Sequence, residues 1–311
     1  MSTPTDDPVD LTKRPVSAET HMIAGWHQWA DAGSISSELP RYLIDCTHAE
    51  RIGEIRAQGF YLFQIPGTHH MLRPKVKLED GYRKTIRTRH NEFYYTGDDQ
   101  KGLVVFCGTE PHMDIERYAR AFFDAAEALS VKRIIAVGGV HRAVPYDKER
   151  QISCVYSLPA LKDELGKYAV EFPNQEGGAS IATYLAHRAE QRGIEYLALY
   201  ASVPFYRFGK SSASFTGIRL ENDYQAWYDV MKRLNHMLEL GLDLAELEIK
   251  SRQLGDVIRT QIAEMDRKTP HLKIGERIDE MTQDFEEPVF LPLSEFWEKQ
   301  LRHLLDGEGS S

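Results

Sequence analysis

Apolar positions along the chain fall into two kinds of run, short continuous ones and long periodic ones, and their order sets the architecture. Between Lys101 and Pro145, two apolar runs, Leu103 to Cys107 and Arg133 to Val137, flank a segment with apolar residues at Ile115, Ala119, Phe122, Phe123, Ala126 and Leu129. That spacing is one face of a helix. Strands nearly continuous in Val, Ile and Leu are covered on both faces, so the unit reads as strand, helix, strand in a parallel sheet, joined by a right-handed crossover. Both strands run into polar tips, Gly108 to His112 and Gly138 to Arg142. In open α/β sheets ligands sit beyond the carboxyl ends of strands, which makes these tips the first place to look for a site.

Upstream, His21 to Trp26 reads as a strand, followed by a loop ending at Gly33 and a helical pattern from about Ser34 to Cys46. Pro40 is awkward inside that helix, which either starts late, near Ser37, or is kinked. Asp31, Gly33 and Ser34 lie at its amino terminus, where unpaired N–H groups suit an anion; equally, Gly33 and Ser34 simply start and cap the helix. Phe60 to Phe63 is strand-like. Two alternating runs around Asp80-Gly81 predict an antiparallel hairpin carried by the sheet, with Asn91 to Tyr95 leading back to the core.

Further on, Gln151 to Tyr156 predicts a short strand, Pro159 to Tyr168 a short helix, Ile181 to Ala189 a helix closed by Gly193, and Tyr196 to Ala201 the last core strand. Gly177-Gly178 before a helix resembles a phosphate cradle but lacks the lysine and Ser/Thr of a P-loop. From Tyr224 onward three amphipathic stripes follow, the second opened by a capping box at Asp243 and Glu246 with a Leu242–Leu247 staple. Asp114 is likewise placed to cap its helix. The expected organisation is a disordered lead-in over 1–19, an α/β core over 20–212, a helical arm over 213–286, and a loop, short helix and disordered tail over 287–311.

Composition narrows the function. The formal charge of −9 and a pI near 5.8, with no basic run interleaved with aromatics, argue against nucleic acid as a partner. Cys46, Cys107 and Cys154 are far apart and in no CxxC arrangement, as reduced thiols of a cytoplasmic protein would be. No apolar stretch has the length of a signal peptide or membrane span, so no membrane partner is expected. His69-His70 has no third ligand nearby and no metal is expected; neither is a cofactor.

Several short motifs recur in a familiar order: Gly25-Trp26 with Asp31-Ala32-Gly33, Asn91-Glu92-Phe93-Tyr94, Gly108-Thr109-Glu110-Pro111, Val131-Lys132-Arg133 with Gly138-Gly139, Gly177-Gly178, Ser202 to Tyr206, and Leu242 to Leu247. Over about residues 20–285 this resembles the PAC2 family, named after a proteasome assembly chaperone, and its bacterial members in particular. The closing LPLSEFWEKQLRHLL resembles the tail of actinobacterial members. The resemblance implies a three-layer α/β/α sandwich similar to purine nucleoside phosphorylases and related hydrolases, a carboxyl-terminal helical appendage, and homo-oligomers, a trimer being favoured. Eukaryotic and archaeal relatives are associated with proteasome assembly or binding, often through a hydrophobic-Tyr-X tail. This sequence closes on GEGSS, so docking by that route is not expected.

Two readings of function follow. The first is an assembly or scaffolding factor without catalysis, whose interface candidates are Trp26, Trp29, Phe205, Tyr206, Trp227 and Tyr228. The second is a phosphorylase- or hydrolase-like enzyme in which Glu110, His112, His141 and Arg142, with Asp114, converge at the strand tips. In that reading Asp31, Gly33, Ser34, Gly138, Gly139, Gly177 and Gly178 are the anion-binding candidates. No nucleophile with an adjacent base is visible in the sequence.

Overall fold

The computed structural model describes residues 7–64, 72–207, 217–288 and 290. The strands are β1 (Val9–Leu11), β2 (Glu19–His27), β3 (Glu50–Ile55), β4 (Lys75–Glu79), β5 (Tyr82–Arg87), β6 (Glu92–Gly97), β7 (Lys101–Thr109), β8 (Val131–Arg142), β9 (Ile152–Tyr156), β10 (Glu195–Arg207) and β11 (Gly217–Arg219). The helices are α1 (Leu39–Thr47), α2 (Ile115–Ala128), α3 (Lys162–Leu165), α4 (Ile181–Arg192), α5 (Tyr224–Met237), α6 (Ala245–Lys268) and α7 (Ile274–Thr282). Nine of the described strands form one sheet, ordered β1-β3-β6-β7-β2-β8-β10-β11, with β9 also on β10. β7, β2, β8 and β10 run parallel, and the outer strands pair antiparallel.

Alternation along these four strands builds both halves of the core. Ile23, Val105, Ile135 and Leu197 point to the side of α1 and α5, where Leu39, Leu43, Trp227 and Met231 meet them. Met22, Phe106, Ile134 and Ala198 point to the side of α2 and α4, against Phe122, Phe123 and Leu185. Helices therefore cover both faces, as the continuous apolar runs require. The first helical stripe beyond residue 220, α5, belongs to this layering, and α6 and α7 stack outside it with Leu247, Ile258, Ile262, Ile274 and Ile278 buried.

Several expectations need correction. β7 and β8 run parallel, as expected, and β2 lies between them. Residues 9–11, expected as disordered lead-in, form the edge strand β1 on β3. Phe60 to Phe63 is not a strand: Phe60 is buried as a plug against Tyr118, rings 5.3 Å apart, and the strand of that region is β3. The hairpin around Asp80-Gly81 exists, yet β4 and β5 form a separate two-stranded sheet rather than part of the main one. α1 starts late, with Pro40 in its first turn, where a missing N–H costs nothing. Asp243 accepts the N–H of Ala245 at 2.9 Å, but α6 begins only at Ala245. Asp114 stands at the start of α2 in the left-handed conformation and its side chain caps nothing. The His69-His70 pair, the terminal tail and the short helix expected near Ser294 lie outside the described residues.

The thiols of Cys107 and Cys154 are buried, which pushes both up to about 12 and leaves them inert; Cys46 is exposed.

Candidate site at the carboxyl ends of the parallel strands

The four parallel strands end on the same side, and a cleft of about 670 Å³ opens there. Its walls are the β2–α1 loop from Gln28 to Ala32, the β8 tip from Gly139 to Arg142, Ser153 and Val155 of β9, the segment leading into α4, Tyr200 of β10 and Arg219 of β11. A larger hollow of about 1150 Å³ lies at the opposite end, where the strands begin. Its charges are answered internally: Arg133 pairs with Glu164 and Glu195 at 2.7 Å, and Lys101 with Glu239 at 2.6 Å. The cleft at the carboxyl ends is different, for Arg142 and Arg219 line it without an ion pair or side-chain hydrogen bond among the described residues.

Of the expected site residues, Asp31, Gly139, His141, Arg142, Gly177 and Gly178 reach this cleft, and Glu110 and His112 do not. Glu110 instead fastens two elements together. Its carboxylate accepts the Ile181 N–H at 2.8 Å, at the start of α4, and the N–H of Trp29, while burial pushes its pKa up. His112 accepts the Leu62 N–H on Nδ1 at 3.1 Å, so its proton sits on Nε2, 3.2 Å from Gln28 Oε1. Both nitrogens are committed to holding the 57–62 turn on the strand tips. Burial, then the nearby Arg89 guanidinium, lower the His112 pKa below its usual 6.5. The neutral ring belongs to the folded state, so its contribution to stability is complete above pH 6.5 and is lost as pH falls below it. A ring-nitrogen NMR titration should show the Nε2–H tautomer and a midpoint under 6.5; a midpoint above 6.5 would mean that these two bonds do not hold the ring.

The anion candidates around Gly33 also resolve differently. Asp31 Oδ1 accepts the N–H groups of Ser36 at 3.0 Å and Ser37 at 2.9 Å, so the protein's own carboxylate occupies the entry to α1. Its pKa is raised by burial. Gly33, at φ +62°, turns its carbonyl to Trp227 Nε1 at 2.9 Å and to the Asp223 N–H at 3.1 Å, and Ser34 Oγ donates to the Glu221 carbonyl. These residues dock α5 onto the sheet instead of binding an anion. Gly138 is packed against the Tyr200 ring. Gly177 and Gly178 face open space, and the N–H groups of Ile181 and Thr183 behind them are taken by Glu110 and by the Ser180 cap. Two of the N–H groups that a phosphate cradle would use there are therefore occupied by the protein's own side chains.

The aromatic interface candidates divide. Trp26, 2% exposed, donates from Nε1 to the Tyr118 hydroxyl at 2.8 Å and stacks among Phe106 and Phe122. Tyr206 and Trp227 are also core, the former donating to the Val144 carbonyl at 2.5 Å. These three are unavailable to a partner. Phe205 is half-buried on His141, rings 4.9 Å apart, and Tyr228 is half-buried beneath Lys232. Trp29 alone among the six is broadly exposed, at 72%, on the cleft rim.

Two buried polar centres escaped the sequence reading. Asn91 Oδ1 accepts from the Tyr61 hydroxyl at 2.7 Å, the Tyr118 hydroxyl at 3.0 Å and the Thr109 N–H at 3.3 Å. Arg150 and Asp223, both fully buried, form an ion pair at 2.9 Å below the β8–β9 connection. Nothing local marks Asn91, which looks like any turn residue ahead of a strand. A charged residue at the edge of an apolar strand was the only available hint for Arg150.

Among the described residues no His, Cys, Asp and Glu cluster is suited to a metal, and no helix is long and apolar enough to cross a membrane.

The fold matches solved structures over most of their length. A PAC2 family protein from Streptomyces avermitilis is 24% identical with a TM-score of 0.65, over 80% of this chain and 97% of that one. A proteasome-assembly chaperone homologue from Mycobacterium tuberculosis is 20% identical with a TM-score of 0.67, over 78% and 95%. The Pyrococcus furiosus protein PbaB, an archaeal proteasome activator, is 19% identical with a TM-score of 0.58, over 81% and 97%. No curated protein matches the sequence. At these identities the likeness is one of fold. The model of the PAC2 family, however, matches residues 25–262 of the 311, and the chain belongs to that family.

Proposed function

We propose that this PAC2 protein is a cytoplasmic assembly or scaffolding factor that acts through contact between protein chains, first of all between copies of itself, and without catalysis. One observation carries the reading. The β4–β5 hairpin stands apart from the main sheet with every residue exposed, Val76, Leu78, Tyr82 and Ile86 at 53%, 59%, 71% and 48%. A lone two-stranded hairpin is at best marginally stable in water, and apolar side chains gathered on one mark an interaction surface. Its occupant in this reading is a second copy. The hairpin carries Lys75, Lys77, Arg83, Lys84 and Arg87 against Glu79 and Asp80 in a chain of net charge −9, and Asp279, Glu280 and Asp284 form an exposed acidic surface at the end of α7 to answer it.

Two structural relatives bear the names proteasome-assembly chaperone homologue and proteasome activator, which supports an assembly role here. The competing phosphorylase- or hydrolase-like reading asks for an acid and a base facing the cleft. Of its four candidates His141 and Arg142 line the cleft, but Glu110 and His112 are committed elsewhere, which weighs against it.

Light scattering after size exclusion tests the proposal. The wild-type chain should elute as an oligomer, a trimer being favoured, and Val76→Asp with Ile86→Asp should give monomers that keep the wild-type far-UV circular dichroism. A wild-type chain that stays monomeric at about 50 µM sinks the reading, since association at a working interface follows mass action.

A further inference from the structure

We propose that the cleft at the carboxyl ends of the parallel strands binds a small organic phosphate, held at its phosphate by Arg142 and Arg219. This does not rest on the assembly role; a scaffold with or without partners has the same cleft.

The two arginines arrive by register. On β8, Arg142 pairs laterally with Pro204 of β10; on β11, Arg219 pairs with Phe205 of β10. They therefore flank the same point of β10, one strand to either side, about 10 Å apart across the sheet at the usual strand spacing. Both line the cleft on the α4 side, and Arg219 also lines a shallow hollow beside Gln261 and Glu264 of α6. Val140, two residues before Arg142, packs into the α2–α4 core, and Ile218 and Leu220, on either side of Arg219, point into the opposite one. Long guanidinium arms at that backbone separation can reach one oxygen-bearing group between them, and their fork matches phosphate in a bidentate way.

The charge balance of the cleft favours an anion despite the acidic chain. Its lining holds one carboxylate, Asp31, and that carboxylate is turned to the Ser36 and Ser37 N–H groups. The cations facing it have no protein partner among the described residues. Two guanidiniums lining a concave, partly desolvated space focus potential toward anions. A cleft of about 670 Å³ is too large for inorganic phosphate alone and has the size of small-molecule sites. The remainder of the ligand meets a hydroxyl cluster, Tyr200 with Ser180 at 2.6 Å and Thr183 at 2.7 Å, and the exposed indole of Trp29. Hydroxyls suit a sugar, and the indole suits a flat ring.

Isothermal titration of the full chain with AMP, ribose 5-phosphate, inorganic phosphate and adenosine tests this. AMP and ribose 5-phosphate should bind with Kd below about 1 mM, and adenosine about tenfold or more weaker than AMP. Arg142→Gln and Arg219→Gln should each weaken AMP about tenfold with thermal midpoints unchanged, because neither side chain makes an ion pair or side-chain hydrogen bond among the described residues. Trp29→Ala should weaken AMP but not ribose 5-phosphate. If neither phosphate ester binds below about 1 mM, or AMP binds equally to the Arg142→Gln/Arg219→Gln double variant, the proposal is overturned. Capture of an acidic protein segment by the same arginines, with no displacement by AMP, overturns it as well.

Discussion

Replacing Arg150 by alanine is expected to cost about 3–5 kcal/mol of folding stability, a large share of what a chain of this kind has. The guanidinium is fully buried, and each nitrogen is used. Nε donates to Asp223 Oδ2 at 2.9 Å, Nη1 to the carbonyls of Pro145 at 2.9 Å and Lys148 at 2.8 Å, and Nη2 to the Tyr146 carbonyl at 3.1 Å. Asp223 in turn caps α5 through the Ala226 N–H at 3.1 Å. Truncation strands a buried carboxylate and three carbonyls at once, and loses the clamp that holds the 143–150 loop and the start of α5 to the sheet. Removing one member of a buried pair costs far more than removing both. Asp223→Ala and the double variant should therefore be strongly non-additive in urea unfolding, the double costing much less than the sum. A loss under about 1 kcal/mol for Arg150→Ala would mean that the loop is held by something else.

Gly139→Ala is the second large effect expected, about 3 kcal/mol or more, because overpacking here meets backbone that cannot give way. A methyl at this position would lie 2.1 Å from the Ala32 carbonyl oxygen and 2.9 Å from Ile35 Cδ1. The Gly139 N–H also donates to the Ala30 carbonyl at 2.9 Å, so the β2–α1 loop rests directly on the β8 backbone. Forcing them apart displaces Trp29 and Asp31 along with the cleft wall, and thermal unfolding and Trp29 fluorescence should both report it. Gly178→Ala is the control: nothing lies within 4 Å of its added carbon, and a change within about 0.5 kcal/mol is expected. Equal losses for the two variants would refute the close-approach account.

These two glycines show how much of the site was legible in the residues. Both look alike as letters beside a strand or helix, and both were reasonable anion candidates. Only the path of the β2–α1 loop, brought across by the insertion of β2 between β7 and β8, makes one indispensable and leaves the other free. The aromatic candidates tell the same story. Trp26 and Trp29 lie three residues apart, yet one ends inside the α2 layer and the other on the rim, because the strand stops at His27 and its alternation ends with it.

Sequence by itself determined what depends on neighbours along the chain. The periodicities of 2 and 3.6 placed the buried strands, the α2 and α4 stripes, the Asp80-Gly81 turn and the Gly193 helix stop, since each is dictated by local sterics and by which face is apolar. The ordered motifs also placed the chain in its family. What only the tertiary structure decided was which distant polar groups meet: Glu110 with Ile181, Asn91 with two tyrosines, Arg150 with Asp223, and Arg142 beside Arg219. Such pairs depend on strand order and register. Those are settled by the packing of the whole sheet, so no window of the chain contains them.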